Sequence, residues 1–302
     1  MNPLLVTAFY LLFLCYLAPV EAICQTKADS ACCYGDIVID PAITVLANNA
    51  FKDCGGLTSV SMAHITSVGD SAFESCSSLT TMNMPLVTSV GDSAFKSCGS
   101  LTTINVPLLE SIDVDGFRSC PTIGTVDLPL VTSIGDNGFL ECSSLTNVQA
   151  PLVTSLGEGS FEGCSSLTTV NISRVEDVGG SAFLECSNLV SAYMPLVSIL
   201  GEEAFISCTA LTSLTAPLLV SVGNNAFKLC PNLANFNAPG QLLLPTSLTH
   251  IGDSAFKQCY ALGGDLVIPS SVTSVGAWAF YQCTGFYSGY VVENVGATLG
   301  SN

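Results

Sequence analysis

Positive charge is scarce in this 302-residue chain: seven Lys and Arg stand against 24 Asp and Glu, for a net charge of -17. Phosphate backbones and anionic membrane surfaces are held by clustered cations, so nucleic acid and docking on an acidic bilayer are excluded as partners. Histidine is almost absent. His64 and His250 lie far apart in the chain, and neither neighbours a recurring nucleophile, so acid–base catalysis has no constellation to work with. There is no CxxC pair, and no His joins the cysteines, so no metal site is expected. Each corner Gly stands without a P-loop Lys, which leaves no Gly-rich phosphate-binding loop. No catalytic residue, metal or other cofactor is therefore expected. Charged residues of both signs amount to only 10%, while 49% of the chain is apolar. Only one stretch, Leu4 to Val20, approaches the length of a membrane span, and it lies at the N-terminus.

That stretch reads as a secretory signal. Val20-Glu21-Ala22 places modest residues at a cleavage site after Ala22, although the n-region carries no Lys or Arg. An uncleaved anchor helix is the alternative. Either way the body of the protein is expected in an oxidising compartment or outside the cell, secreted or on its surface. The mature chain is expected to have no transmembrane segment. Residues 291–302 form a tail without an apolar run, so no GPI signal is expected.

What the chain has in abundance is a period. Cys54, Cys76, Cys98, Cys120, Cys142, Cys164, Cys186, Cys208 and Cys230 follow one another every 22 residues, and Cys259 and Cys283 follow after gaps of 29 and 24. Three residues before each stands a Phe: Phe51, Phe73, Phe95, Phe117, Phe139, Phe161, Phe183, Phe205, Phe227, Phe256 and Phe280. In the unit LTTMNMPLVTSVGDSAFKSCGS, Leu79, Met82 and Met84 alternate with polar residues, as in a strand with one buried face. Pro85 ends that strand because it cannot donate to a ladder. Val87 and Val90 start a second extended segment, and Gly91 suits a tight corner. Asp92 or Ser93 is placed to cap a single helical turn carrying Phe95 and Cys98 on one face. One such unit cannot bury its apolar side alone; stacked units bury one another. Phe73, Phe95, Phe117, Phe139, Phe161, Phe183, Phe205 and Phe227, with Cys76, Cys98, Cys142 and Cys164, are the expected core.

The string L-x-x-ϕ-x-ϕ-P-x-V-T-S-ϕ-G-x-x-A-F-x-x-C closely resembles the BspA-like leucine-rich repeats. It is clearest at Leu79–Cys98, Ile123–Cys142, Leu145–Cys164 and Leu262–Cys283. Asp113 and Ala47 depart from it at the corner Gly, and Ser173 at the Pro. The resemblance implies an α/β-type repeat solenoid. This is a leucine-rich-repeat arc with a parallel β-sheet on one face and short strands plus single helical turns on the other. It further implies a secreted or surface protein of the kind implicated in adhesion, with an extracellular protein or glycan as ligand.

Four regions follow: a signal at 1–22, a cysteine-containing cap at 23–45, a solenoid of about eleven units at 46–290, and the tail. Cys24, Cys32 and Cys33 are expected to staple the cap with at least one disulfide, whose connectivity the sequence leaves open; one of the three stays unpaired unless Cys54 joins them. The seven extra residues before Cys259 are expected to form a surface loop. In-register stacking points equivalent cysteines in parallel, so buried thiols are favoured over bridges along the array. Asp70, Asp92, Asp136, Glu158, Glu202 and Asp253 recur after the corner glycine, where helix capping is favoured over calcium binding.

The outward strand positions are the binding candidates. One column runs Asn83, Asn105, Asp127, Gln149, Asn171, Tyr193, Thr215 and Asn237, and Thr103 stands in its neighbour. The surface is rich in amides and hydroxyls, and Tyr193 is its only large aromatic. Asn171-Ile172-Ser173 is a glycosylation sequon within it. Self-association through exposed solenoid ends is the alternative use of such a fold.

Overall fold

Each unit folds as one turn of a parallel β-solenoid in this computed structural model, which describes residues 22–24, 33–238, 241–286, 291–292 and 298–299. The proposed leader up to Glu21, Cys32 and most of the tail lie outside the described residues. In a typical turn the chain runs through a three-residue strand such as Thr81–Asn83 and a turn at Pro85. A two-residue strand, Ser89–Val90, follows, and then the segment carrying Phe95 and Cys98. The longer strands make a five-stranded sheet ending at Thr103–Asn105 and a seven-stranded sheet beginning at Thr125–Asp127. The short strands make one twelve-stranded sheet from Val45–Leu46 to Thr298–Leu299. Register advances by one 22-residue unit per rung, as in Asn83↔Asn105 and Val90↔Ile112.

The expected helical turn is replaced by a different ladder, and the architecture is all-β. No α-helix occurs among the described residues. Ser93 and Ser97 sit at φ 56° and 60°, in the left-handed region. An α-helix needs negative φ throughout and donates every N–H four residues back. Here Ser93, Phe95 and Ser97 donate instead to Val114, Gly116 and Arg118 of the next rung, at 2.8, 2.9 and 2.8 Å. The alternate amides of Ala94, Lys96 and Cys98 close local turns onto Gly91, Ser93 and Phe95. Each unit thus binds its neighbour on this side as well as through the two sheets.

The core is a column of phenyl rings. From Phe51 to Phe227, successive rings lie 5.0–5.5 Å apart between centroids with planes within 6–13° of parallel. Such offset stacking contributes about 0.5–1.5 kcal/mol per pair beyond burial. The corner glycines serve this close approach rather than an unusual φ. A Cβ on Gly157 would meet the backbone nitrogen of Asp136 at 2.5 Å and the carbonyl carbon of Gly135 at 2.6 Å.

The extra residues before Cys259 do not form a plain loop. Asn235–Ala238 turns back antiparallel against Gln241–Leu242 and closes the edge of the seven-stranded sheet. Phe236 plugs the space beneath, edge-on to Phe227 and Phe256 at 5.7 and 5.6 Å. At the N-terminal end Ala22–Cys24 pairs with the strand Tyr34–Ile39. Cys33 is bridged to Cys54, with sulfurs 2.03 Å apart, so the staple reaches from the cap into the first unit.

Candidate functional site

The strand face is built by the alternation of the longer strands. In Thr125–Asp127 the middle residue Val126 is buried, and both neighbours face solvent. Parallel register then places Asp127 beside Gln149, Gln149 beside Asn171, Asn171 beside Tyr193 and Tyr193 beside Thr215. Asn83, Thr103, Asn105, Asp127, Asn171 and Tyr193 are exposed, while Gln149 and Thr215 are half-buried. The amides hold one another in place. Asn105 Nδ2 donates to Asn83 Oδ1 at 2.7 Å, Asn171 Nδ2 to Gln149 Oε1 at 3.1 Å, and Gln149 Nε2 to Asn147 Oδ1 at 2.9 Å. Around Thr125, Asp127, Asn147 and Gln149, with Pro129 and Pro151 as one wall, lies a shallow depression of about 480 Å³.

Asn237 does not belong to this face. It adopts φ 60°, its Oδ1 accepts from Ala216 N at 2.6 Å, and its Nδ2 donates to the carbonyls of Ala216 and Leu243. Its amide pins the hairpin to the solenoid and is not offered to a ligand.

A second feature of the face went unread in the sequence. After the turn prolines Leu86, Leu108, Leu130, Leu196 and Leu218 are exposed, 39–52% accessible, while Leu152 is half-buried and Arg174 takes the equivalent place one rung on, so the leucines form an apolar ridge interrupted between Leu130 and Leu196. The recurring Pro-Leu pair was the available signal. The ridge supplies the apolar contact area that the amide column lacks.

Of the acids after the corner glycine, Asp70, Asp92, Asp136 and Asp253 link rungs instead of capping helices. Asp70 Oδ1 accepts from Asp92 N at 3.1 Å, Asp92 Oδ1 from Val114 N at 3.0 Å, and Asp136 Oδ1 from Glu158 N at 2.8 Å. Each carboxylate therefore satisfies a backbone donor of the following turn. Asp113 stands at the corner position itself. Its partial burial, together with the charges of Asp92 and Asp70, pushes its carboxyl above the usual range. No group of three His, Cys, Asp or Glu is placed to hold a metal among the described residues. His64 and His250 are both exposed, and His250 Nδ1 pairs with Thr249 Oγ1 at 2.7 Å.

The cysteines form a thiol ladder. Cys76, Cys98, Cys142 and Cys164 are buried and outside any disulfide, as are their equivalents up to Cys259, while Cys283 is half-buried. Each sulfur donates to the carbonyl of the Phe one rung back: Cys98 to Phe73 at 3.1 Å, Cys142 to Phe117 at 3.2 Å, Cys164 to Phe139 at 3.2 Å. Burial raises the thiols of Cys142, Cys164, Cys186, Cys208 and Cys259, and pushes Cys230 and Cys283 up to about 12. At Cys120 the hydrogen bond with Cys98 raises the thiol most, and burial adds to it. These sulfurs are packing groups, not nucleophiles.

A parallel solenoid of 22-residue turns, with a stacked phenyl column and an exposed strand face, is a leucine-rich-repeat protein. The chain belongs to the BspA type leucine rich repeat family, whose repeat region in six copies matches residues 25–124, 110–234 and 221–295. A leucine-rich repeat protein from Bacteroides ovatus shares the fold, with a TM-score of 0.55 at 22% identity over 91% of this chain and 87% of that one. One from Eubacterium ventriosum gives 0.53 at 18% identity over 84% of each chain. The pneumococcal vaccine antigen PcpA gives 0.53 at 17% identity, covering 83% of this chain and 68% of its own. Comparison with curated protein sequences gives no match. Among the described residues no helix is long and apolar enough to cross a membrane.

Proposed function

We propose that this is a non-catalytic recognition or adhesion protein, secreted or held at the cell surface. It engages an extracellular protein or glycan through the strand face between Asn83 and Thr215. The depression beside Asp127, walled by Pro129 and Pro151, carries this reading. It offers one free carboxylate, oriented amides and a neighbouring leucine ridge, which together give polar specificity and apolar area in one place. Tyr193, 59% exposed, is the aromatic anchor of the face. A glycan on Asn171 would break its bond to Gln149 and cover the same surface. The apolar leader and the Cys33–Cys54 bridge support export. The test is to screen the protein on glycan and extracellular-protein arrays, then measure the hit against a D127N/Q149A/Y193A variant. Affinity should fall by at least about tenfold, as expected for loss of a hot spot. Unchanged affinity would place the ligand elsewhere.

The alternative reading, a structural component that self-associates, is favoured by the sheet ends. Val45–Leu46 and Thr298–Leu299 are the edge strands of the twelve-stranded sheet, and a free edge is a template for pairing. On that reading sedimentation gives a mass that rises with concentration. A strict monomer at every concentration removes it.

A further inference from the structure

The single tryptophan of the chain sits where the repeat has no use for one. Two residues before each core Phe the backbone is left-handed. Those positions hold small polar residues or glycine, such as Asn49, Ser71, Asp115 and Gly159, a longer side chain at Glu203, and then Trp278 at φ 57°. Small polar residues and glycine tolerate that region; a ring-bearing side chain is a costly choice there. Its indole is also 49% exposed, so core packing does not explain it. Strain combined with exposure points to use.

The surroundings say what for. Lys257 lies on the preceding rung with its Nζ 5.6 Å from the Trp278 ring centroid and 5.4 Å from that of Tyr281. Lys96, the equivalent of Lys257 near the other end, is neutralised by Asp115 of its next rung at 2.6 Å. Trp278 stands in the place of that Asp. One rung earlier Lys228 faces the position of Ser254, again with no carboxylate. Among the described residues the ion pairs belong to Lys52, Lys96 and Arg118, so the two lysines on these adjacent rungs have no acidic partner there, in a protein of net charge -17, and Lys257 stands beside the exposed Trp278 and Tyr281. Flat rings suit the C–H face of a sugar, and paired ammonium groups suit its carboxylate.

We propose that Lys228, Lys257, Trp278 and Tyr281 form a binding site for an acidic, uronate-bearing saccharide. It lies on the turn side near the C-terminal end, apart from the strand face. The lone tryptophan makes its fluorescence a local probe. Titrating the full mature chain with a tetragalacturonide should change the Trp278 emission saturably, and the response should weaken with salt. The fully methyl-esterified oligomer, equal in shape but uncharged, should give no response. A K228Q/K257Q variant should bind about tenfold more weakly. W278S, followed by calorimetry, should lose binding while melting no earlier than the parent, because serine suits the left-handed position. No response to the acid, or equal response to acid and ester, overturns the site; the ester comparison needs no variant. Equal affinity for an oligoglutamate of the same charge overturns the saccharide assignment in favour of acidic peptide. The D127N/Q149A/Y193A variant should titrate like the parent, so failure here and failure of the strand face are distinguishable.

Discussion

Raising the pH from 8 to 10 is expected to unfold the protein. The thiols of Cys120, Cys142, Cys164, Cys186, Cys208, Cys230, Cys259 and Cys283 are all raised in the fold. In the unfolded chain they return to about 8.5. Below that pH both states keep the proton and stability is untouched. Above it the unfolded state releases protons that the folded state retains, so stability falls as pH rises, until the folded thiols themselves ionise near 12, as at Cys230 and Cys283. Each thiol costs about 1.4 kcal/mol per pH unit in that window. Eight together cost on the order of 10 kcal/mol per unit, comparable to the whole stability of an ordinary domain. Ionisation would also remove the proton that each sulfur donates to the Phe carbonyl one rung back. Circular dichroism under reducing conditions should show a steep loss of β signal centred between about pH 9 and 10. A fold that persists at pH 11 would show that these thiols are not sealed in the core.

The second large effect is expected from Phe139→Ala. The Phe139 ring is fully buried, 5.4 Å from Phe117 on one side and 5.5 Å from Phe161 on the other. Removing it leaves a cavity in mid-column, at a cost of about 3–5 kcal/mol. Because each rung touches only its neighbours, the defect also uncouples the halves of the array. Thermal or urea unfolding should shift to milder conditions and broaden or split. The same change at Phe280, in the last unit of the array, where it stacks on Phe256 and meets Phe286 edge-on, should cost less and leave one transition. A melt of the mid-array variant indistinguishable from the parent would sink the stacked-column account.

The 22-residue period, the inward Phe and Cys, and the two strand segments of each turn were all readable, because burial imposes a pattern that recurs at fixed spacing. The supposed helical turn was not. Asp92-Ser93-Ala94-Phe95 satisfies local helix rules, and only the neighbouring rung, by taking the amides of Ser93, Phe95 and Ser97, makes the left-handed alternative better. The signal was present in the small polar residues at Asn49, Ser71, Asn137 and Gly159, and absent at Glu141 and Leu229, which share the conformation. Asp92 looked like a cap because its partner, Val114 N, is 22 residues away. The Cys33–Cys54 bridge was one of several open pairings. On the strand face Asn237 could not be told from Asn105 until the hairpin was seen to claim its amide.

The bonds between rungs also bear on how such a gene can change. Thr88 N reaches Thr66 O, Ser93 N reaches Val114 O and Cys98 Sγ reaches Phe73 O, each joining one turn to an adjacent one. Nothing in a mid-array rung records its ordinal number. Unequal crossing-over between tandem copies, which inserts or excises one whole unit, would rejoin every ladder with equivalent partners. A shift of one residue would turn the inward column outward. Length is therefore a quantity this lineage can alter in whole steps without redesigning the core, and the strand face lengthens or shortens with it.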